Sequence, residues 1–352
     1  MQKYKRISFL DYLLFGSIAC IKYQMNILLI GGEGYIGNVV SSFLLDKGHR
    51  VVSFDSLLYK NNLLPLSKIH PNYEFICEDM VNVSKFSNNF DDLDAVVLLA
   101  GLVGDPITRK YPAESSKIND SGVKNVIEYF LSKNVSKFIL ISTCSNYGLI
   151  TGDHLADEEF ELNPLSSYAK DKVTAERFLL KELANSETCG TVLRFATAFG
   201  LSPRMRFDLT INEFTRDIYE GRGMEVYDPD TWRPYCHVKD FARLIEVVLE
   251  SEAHKVSNQI FNAGGEKNNA TKRMITEKIL EHVPNGKTSY REHGSDPRNY
   301  KVDFSKVNKV LGFTPAFSID YGIKEIIKAI DSKIFLNVEK QKDFFGNYNI
   351  EF

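Results

Sequence analysis

The chain has 352 residues, of which 43% are hydrophobic and 25% are charged, and its formal net charge is −3 at pH 7. That length and apolar content are enough for one large core or for two joined lobes. So balanced a charge produces no strong overall field, which argues against recruitment of nucleic acid or of an anionic membrane surface.

The cysteines form no disulfide or zinc pattern. They are widely spaced, odd in number and without a CxxC or Cys/His cluster. Neither a disulfide framework nor a metal site is therefore predicted, and a reducing cytoplasm is favoured. The five are Cys20, Cys77, Cys144, Cys189 and Cys236.

Residues 1–24 allow two interpretations. A basic start followed by an apolar stretch is typical of a signal peptide, but Asp11 interrupts the stretch and "GSIAC" is a poor cleavage site. The stretch is also too short for an ordinary membrane span. We expect these residues to be an added helix, or translated sequence upstream of a natural start at Met25, and we expect no other run to cross a membrane.

Strands and helices alternate from residue 25 to about residue 200. The stretch "MNILLIGGEGYIGNVVSSFLLDKGHRVVSFD" predicts a strand, a glycine turn, a helix from about Tyr35 to Asp46 and a second strand. Further strands are predicted in "YEFICED", "AVVLLAG", "KFILIST" and "GTVLRFATAFG", and helices at 112–133 and 166–184. This order predicts an α/β fold with a Rossmann-type, doubly wound parallel sheet.

The alternation of strands and helices ends at about residue 200, after which prolines, charged residues and short elements interrupt it. Segments within 236–265, including a helix at 237–250 and "NQIFNAGG", are predicted to return to the 25–200 body. Residues 201–330 are predicted to form a smaller, interleaved substrate lobe. The aromatic tail 331–352 is expected to pack on the body or on a partner subunit.

The glycines of "GGEGYIG" predict a dinucleotide site. Gly31, Gly34 and Gly37 follow a strand and open a helix, which is the context that gives this motif its meaning. Asp55 ends the second strand, where a carboxylate binds a ribose 2′-hydroxyl and repels a 2′-phosphate; this favours NAD over NADP. Asp79 could face the adenine. The alternative for the glycines is an ordinary strand–helix turn, and the alternative for Asp55 is an aspartate that forms a turn or caps a helix.

Tyr168 and Lys172 lie one helical turn apart, in "SYAKDK", and so face the same way. An ammonium and a positive nicotinamide both lower the pKa of a nearby tyrosine, which can then remove a proton from a sugar hydroxyl. Thr143 ends a strand, where ligands bind in such sheets, and can bridge substrate and tyrosine. The alternative is a solvent-facing Tyr–Lys pair.

These motifs resemble the extended short-chain dehydrogenase/reductase family, in its sugar-nucleotide epimerase/dehydratase branch. The matching pieces are "GGEGYIG", "LLAGLVGD", "ISTCSNYG", "NPLSSYAKDKVTAER", "VLRFATAFG", "RPYCHVKD" and "LGFTP", between residues 25 and 330. "LVGDP" and "FGLSPRMRFDL" resemble a subset that includes GDP-heptose C4-oxidising enzymes.

The resemblance implies site residues position by position. Catalysis falls to Thr143, Tyr168 and Lys172. The implied NAD contacts are Gly31, Gly34, Tyr35, Ile36, Gly37, Asp55, Asp79, Met80, Ala100, Tyr168 and Lys172. The implied substrate contacts are Thr143, Cys144, Ser145, Thr197, Arg204, Arg206, Arg233 and Arg298.

Departures from the family pattern limit the chemistry. The Asp-Glu pair that drives dehydration in the family's 4,6-dehydratases is replaced by Cys144 and Ser145, and a thiol is a poor acid near pH 7. Cys144 is expected to be a small residue of the pocket wall, with a reactive thiol as the alternative. Thr197 stands where the family has an asparagine. Arginine forks suit a diphosphate, Arg233 best by position, and the alternative for the others is ion pairing with Asp208, Asp217 or Asp296.

The leading hypothesis is NAD-dependent oxidation at C4 of a nucleotide-diphosphate sugar through a 4-keto intermediate, as a 4-epimerase or a 4-dehydrogenase. The alternatives are a 4-ketoreductase or dehydratase of the same family, or a non-catalytic NAD sensor. The family's role in surface-polysaccharide synthesis is an association only. A cytoplasmic homodimer is expected through the helices 112–133 and 166–184, because Val123, Val126, Ile127 and Phe130 form an apolar stripe.

Overall fold

The computed structural model describes residues 24–59, 69–90, 92–294, 296–335 and 337–350. The expectations for residues 1–23 lie outside the described residues. Met25 is buried and the first strand begins at Asn26.

A seven-stranded parallel sheet forms the centre of the molecule. Its order is β11-β7-β5-β4-β1-β2-β3, which is a doubly wound sheet whose strand order reverses beside β1. Both faces are covered: on β1, Ile27 and Leu29 join one core cluster while Leu28 and Ile30 join the other. This explains why the strand is apolar at every position from Ile27 to Ile30. The strands are β1 (Asn26–Ile30), β2 (Arg50–Asp55), β3 (Tyr73–Cys77), β4 (Ala95–Leu98), β5 (Lys137–Thr143), β7 (Cys189–Phe195) and β11 (Gln259–Ala263).

Helices cover this sheet much as the sequence predicted. The helix after the glycine turn spans Tyr35–Asp46, and the helix that carries Tyr168 and Lys172, called here the Tyr-Lys helix, spans Ser167–Glu182. The predicted helix 112–133 is broken into several pieces. These are Pro112–Ser115, a π-helical segment Ser116–Gly122, and Val123–Ser132, and a separate short helix, Asp105–Lys110, precedes them. A 3-10 segment spans Met80–Asn89, and Val238–Glu250 packs against Tyr35–Asp46.

The stretch "GTVLRFATAFG" is two strands and not the single strand that we predicted. β7 ends at Phe195, and β8 (Thr197–Phe199) leaves the large sheet to pair with β10 (Trp232–His237). β10 also pairs with β12 (Asn269–Thr271) in a three-stranded sheet. The chain therefore changes sheets at Ala196, which a continuous apolar pattern does not reveal.

The smaller lobe has its own core cluster, which includes Phe199, Phe214 and Tyr235. As predicted, the chain returns to the large sheet at β11. The domain boundaries themselves stay a prediction. The remaining elements are β6 (Leu155–Ala156), Thr210–Tyr219, β9 (Met224–Tyr227), Ala253–Val256, Lys272–His282, β13 (Thr288–Arg291), β14 (Lys301–Val302), Ser305–Leu311 and Ile319–Asp331.

The tail packs on its own chain. Val338 and Phe345 join a core cluster with Tyr35, Met205 and Phe207. The backbone N–H of Phe207 donates to the carbonyl of Phe345 at 2.7 Å. The sequence analysis expected the tail to pack either on the body or on a partner subunit. The described tail residues contact the body.

The apolar stripe that motivated the dimer is inside the molecule. Val123, Val126, Ile127 and Phe130 are at most 2% exposed and pack in the sheet's second core cluster. The stripe faces the sheet because it is the helix's strongest apolar face, and so it cannot contact a partner subunit. The argument from these residues was wrong, and the homodimer itself stays a prediction.

Within the described ranges, no helix combines the length and the apolar content that crossing a bilayer requires.

Candidate active site

One cavity of about 510 Å³ lies at the carboxyl edge of the large sheet, between the sheet and the smaller lobe. Its wall includes the glycine turn, Asp55, Thr143, Tyr168 and Lys172. Arginines of the smaller lobe complete it. The predicted cofactor and catalytic residues are therefore brought to a single cleft.

The glycine turn is shaped by close approaches that side chains would block. Gly31 has φ +88°, and a Cβ there would lie 2.6 Å from the backbone nitrogen of Ala100. A Cβ on Gly37 would lie 2.3 Å from the carbonyl oxygen of Gly31. The turn thus places the N-terminus of the helix Tyr35–Asp46 directly in the cavity wall, where exposed N–H groups suit a phosphate.

Asp55 is held in place by backbone groups. Its carboxylate accepts hydrogen bonds from the N–H groups of Glu33 at 3.0 Å and Leu57 at 2.9 Å. Burial raises the pKa of the Asp55 carboxyl, and these two N–H groups and Arg204 oppose the rise. The remaining lone pairs are available to ribose hydroxyls. The other predicted cofactor residues that line the cavity are Gly34, Tyr35, Ile36, Asp79, Met80 and Ala100.

Lys172 and Tyr168 stand side by side on the Tyr-Lys helix. The Lys172 Nζ atom lies 6.0 Å from the centre of the Tyr168 ring and donates to the carbonyl of Ile141 at 2.8 Å. Thr143 ends β5, and its hydroxyl accepts from the N–H of Ser145 at 3.1 Å. The alternative of a solvent-facing Tyr–Lys pair does not agree with the structure, since Lys172 is 6% exposed.

Burial shifts these two pKa values in opposite directions. It raises the pKa of the Tyr168 phenol, against the opposing charges of Arg206 and Arg298. It lowers the pKa of Lys172 to about 8. The protein groups by themselves therefore do not lower the pKa of Tyr168, and the lowering that the sequence analysis expected requires the positive nicotinamide as well.

A buried ion pair fixes the Tyr-Lys helix. Glu176, one turn after Lys172, accepts from Arg194 of β7 at 2.8 Å, and both side chains are at most 3% exposed. Glu176 also accepts from Asn146 at 2.8 Å and from Ser142 of β5. The helix is thereby tied to both strands that border the cavity.

Cys144 lies outside the cavity wall, which corrects its assignment as a substrate contact. The residue is 1% exposed, and its thiol donates to the carbonyl of Arg194 at 3.1 Å. Burial raises the pKa of the thiol, so a reactive thiolate is disfavoured as well. The chain turns into a 3-10 helix after β5, and this aims Cys144 at the core while Thr143 and Ser145 face the cleft. Thr197 also lines the cavity.

All four predicted arginines line the same cavity, but their pairing differs. Arg206 pairs with Asp208 at 2.6 Å, while Arg233 and Arg298 share Asp296 at 3.0 and 2.8 Å. The ion-pair alternative is therefore correct for Arg206 and Arg298, and Arg233, for which it was not proposed, is paired as well; pairing does not remove any of the three from the site. Within the described residues, Arg204 has no carboxylate within 4 Å.

The sequence analysis missed several residues of the site. Asp105 has a buried Oδ1 atom without a hydrogen-bond partner and lies 3.6 Å from Arg298. The hydroxyl of Tyr300 lies 3.3 Å from that of Ser145. Tyr59 and Asn347 also line the cavity. No motif marks Tyr59, Tyr300 or Asn347, whereas "LVGDP" was recognised as a family piece without a role for its aspartate.

Comparisons with known proteins agree with this geometry. Residues 27–264 match the family model described as the NAD dependent epimerase/dehydratase family. The chain is 29% identical over 318 residues to a UDP-glucuronate 4-epimerase of Thermodesulfobacterium geofontis, covering 85% of this chain and 94% of that protein. It is 27% identical to a dTDP-glucose 4,6-dehydratase of Streptomyces niveus, over 86% of this chain and 92% of that one.

Among solved structures, a UDP-glucose 4-epimerase of Thermotoga maritima with UDP-glucose superposes with a TM-score of 0.78 at 24% identity. The match covers 88% of this chain and all of that one. At that identity the likeness shows the fold.

Proposed function

The chain belongs to the NAD-dependent epimerase/dehydratase family, and from that premise we propose that it oxidises C4 of a nucleotide-diphosphate sugar as a 4-epimerase or a 4-dehydrogenase. The observation that carries the proposal is the single cleft that joins the glycine turn and Asp55 to Thr143, Tyr168 and Lys172. The relatives named as an epimerase and a dehydratase of nucleotide sugars support it.

The residues present fit NAD. The glycine turn leaves room that any Cβ would fill, and Asp55 keeps lone pairs for ribose hydroxyls. The helix N-terminus at Tyr35, with Gly34 and Ile36, would hold the pyrophosphate, while Asp79, Met80 and Ala100 would border the adenosine half. When bound, NAD supplies the acceptor and donor of a hydride.

The chain's own groups handle the proton. Tyr168 acts as a phenolate, which the positive charge of the Lys172 ammonium stabilises, and it becomes a neutral phenol when it accepts the proton of the C4 hydroxyl. Thr143 and Ser145 orient the sugar from the end of β5. The unpartnered Oδ1 atom of Asp105 is suited to accept a hydrogen bond from another sugar hydroxyl.

The smaller lobe would hold the substrate's diphosphate. Arg233 and Arg298 line the cavity on the lobe side; both pair with Asp296, and Asp105 lies 3.6 Å from Arg298. Their planar guanidinium groups match the geometry of phosphate oxygens, so both are suited to bind a diphosphate. The similarity of the sequence to GDP-heptose enzymes stays a prediction, and so does a role in surface-polysaccharide synthesis.

Two measurements test the function. The first identifies the dinucleotide released on denaturing the purified protein and compares binding of NAD and NADP; we expect NAD in both. The second incubates the protein and NAD with UDP-, dTDP- and GDP-sugars and determines product mass. A product of unchanged mass and inverted C4 identifies an epimerase, and a loss of two hydrogens a 4-dehydrogenase. A loss of water, or no turnover with any sugar nucleotide, would overturn the proposal.

A further inference from the structure

Arg204 is a buried cation without a counter-ion among the described residues. The residue is 2% exposed and lines the cavity, and its Nε atom has no hydrogen-bond partner. Burial, followed by repulsion from Arg206, lowers the pKa of the guanidinium to about 10. A cation kept in this state costs stability unless an anion arrives to pair with it, so the setting points to an anionic ligand.

The segment that carries Arg204 is fastened to the helix that follows the glycine turn. Ser202 donates to the carbonyl of Tyr35 at 2.7 Å, and the Tyr35 hydroxyl donates to the carbonyl of Gly200 at 2.6 Å. Asn212 donates to the same hydroxyl at 3.0 Å. Since Tyr35 is the first residue of that helix, these bonds bring residues 200–206 to the helix N-terminus.

Two further contacts aim the guanidinium. Its Nη2 atom donates to the Asn347 Oδ1 atom of the tail at 2.6 Å, and its carbon lies 4.3 Å from the centre of the Tyr59 ring. Asn347 is itself held, because its N–H donates to Asp208 at 3.3 Å. The positive charge of Arg204 also acts to lower the pKa of the Asp55 carboxyl. Arg204 therefore lines the cavity close enough to Asp55 to influence its charge, on a segment that is held at the helix N-terminus.

We propose that Arg204, positioned by Asn347 and Tyr59, is a cationic anchor for the pyrophosphate of the bound dinucleotide. This rests on the proposed NAD site and moves Arg204 from the substrate, to which the sequence analysis assigned it, to the cofactor. A pyrophosphate at the helix N-terminus supplies the charge that Arg204 lacks. A 2′-phosphate is the poorer partner, since it would meet the Asp55 carboxylate.

The test is a binding series with the full chain, freed of nucleotide, in a calorimeter. ADP-ribose, 5′-AMP, 2′-AMP and adenosine are titrated into the unmodified protein and into Arg204→Met. We expect Arg204→Met to weaken ADP-ribose and 5′-AMP by about tenfold or more, because charge-assisted contacts to phosphate are the strong ones. Adenosine should change by less than about threefold, since it carries no phosphate.

The matched control is Arg273→Met. Arg273 also lies over a tyrosine ring, 4.4 Å from the centre of Tyr290, but it pairs with Asp230 at 2.8 Å and is outside the cavity wall. Its loss should leave all four affinities unchanged. Arg204→Met should melt at the same temperature as the unmodified protein or higher, because it removes an uncompensated buried charge.

Asn347→Asp separates positioning from packing. The new carboxylate would pair with Arg204 and neutralise its charge, so binding of ADP-ribose should weaken more than binding of adenosine. Asn347→Ala should weaken ADP-ribose binding less than Asn347→Asp does. Equal losses for ADP-ribose and adenosine in Arg204→Met would overturn the proposal, as would a larger loss for 2′-AMP than for 5′-AMP. If the unmodified protein bound none of these ligands, the NAD site itself would be wrong.

Discussion

Tyr168 and Lys172 both lose stabilisation of their charged forms on burial, which raises the pKa of the phenol and lowers that of the ammonium to about 8. The two residues nevertheless stand together, one turn apart, with the Lys172 ammonium anchored on the carbonyl of Ile141. In this site an uncharged tyrosine lies beside an ammonium whose charged form is destabilised by burial. A further positive charge in the cleft would lower the pKa of the tyrosine and so favour proton transfer.

Replacing Tyr168 by Phe removes the proton acceptor and little else. We expect Tyr168→Phe to reduce kcat by about 10²- to 10⁴-fold, the usual contribution of a general base, while NAD still binds. Thr143→Val should reduce it less, since it removes only a positioning hydroxyl. Steady-state rates and NAD titration measure both. Tyr290→Phe, outside the cleft, is the control, and full activity of Tyr168→Phe would exclude Tyr168 as the base.

Cys144 should tolerate replacement by Ser. The thiol faces the core and donates to the carbonyl of Arg194, a bond that a hydroxyl can also make. We expect Cys144→Ser to lower the free energy of unfolding by about 1 kcal/mol and to keep kcat/KM within a few-fold of the unmodified enzyme. Urea unfolding and steady-state kinetics measure the two effects. A folded, NAD-binding Cys144→Ser protein as inactive as Tyr168→Phe would make the thiol catalytic.

The pKa of Lys172 makes a signed prediction for stability. The ordinary value of 10.5 falls to about 8 in the folded protein, so the unfolded chain binds more protons between those pH values. The destabilisation by Lys172 is then full below pH 8 and is relieved as pH rises toward 10.5. Lys172→Met should be more stable than the unmodified protein at pH 7 by up to about 3 kcal/mol, less the lost bond to Ile141, and the difference should shrink by pH 10.5.

Urea unfolding at several pH values measures this difference. Lys170→Met is the control, because Lys170 is exposed on the same helix and its replacement removes no buried charge. A gap between Lys172→Met and the unmodified protein that stayed constant from pH 7 to 10.5 would contradict the lowered pKa.

At the scale of elements, the Tyr-Lys helix is positioned by what lies beneath it. Its buried face continues from Lys172 to Glu176, whose pairing with Arg194 crosses to β7. The same carboxylate receives Ser142 and Asn146 from β5 and the segment after it. One buried acid thus couples the helix to the two strands that end at the cleft.

Glu176→Gln should therefore be costly. The substitution leaves the Arg194 charge buried without its carboxylate, which typically lowers the free energy of unfolding by about 3–5 kcal/mol. Activity should also fall, because the Tyr-Lys helix is no longer held in position. Urea unfolding measures the effect, with Glu182→Gln as the control at the partly exposed end of the same helix. The double variant Glu176→Met with Arg194→Met should recover part of the stability; if it were the least stable of all, desolvation would not be the cause.

At the scale of the whole molecule, the tail joins the lobe to the body. Phe345 packs near Phe207 and Phe335, with ring centres 6.0 and 5.8 Å apart. Beyond it, Asn347 and Tyr348 line the cavity, and Ile350 joins the core of the sheet. The tail therefore forms part of the cleft wall.

Phe345→Ala should loosen the tail selectively. We expect faster amide hydrogen exchange at 337–350 and unchanged exchange in the seven-stranded sheet, because the sheet's core does not depend on this ring. Ile334→Ala, at a position 64% exposed, is the control. Uniform acceleration across the sheet would show that the tail and body unfold as one unit.

Much of the fold and the site was readable from local pattern. An all-apolar run before a glycine turn predicts a doubly covered strand, and β1 is one. A spacing of four on a helix fixes Tyr168 and Lys172 on one side whatever surrounds them. The order of the glycines, Asp55 and these two residues then predicted the family.

Other features depend on which elements meet, and the sequence by itself did not decide them. The change of sheets at Ala196, the inward turn of Cys144 and the buried stripe of Val123–Ser132 all follow from packing partners that are distant in the chain. An amphipathic pattern gives a helix an apolar face, but only the tertiary structure assigns that face to the sheet or to a partner subunit.

The sequence determined that the protein has a Rossmann-type sheet, a glycine turn with Asp55 and a Tyr–Lys pair, because each of these is specified by residues close together in the chain. The tertiary structure decided that Arg204, about 150 residues from Asp55 by the numbering, lines the same cavity as Asp55 and donates a hydrogen bond to Asn347 of the tail. The reason is physical: periodicity and turn chemistry act over a few residues, whereas the pairing of a buried charge is set by whatever the packed core brings within reach.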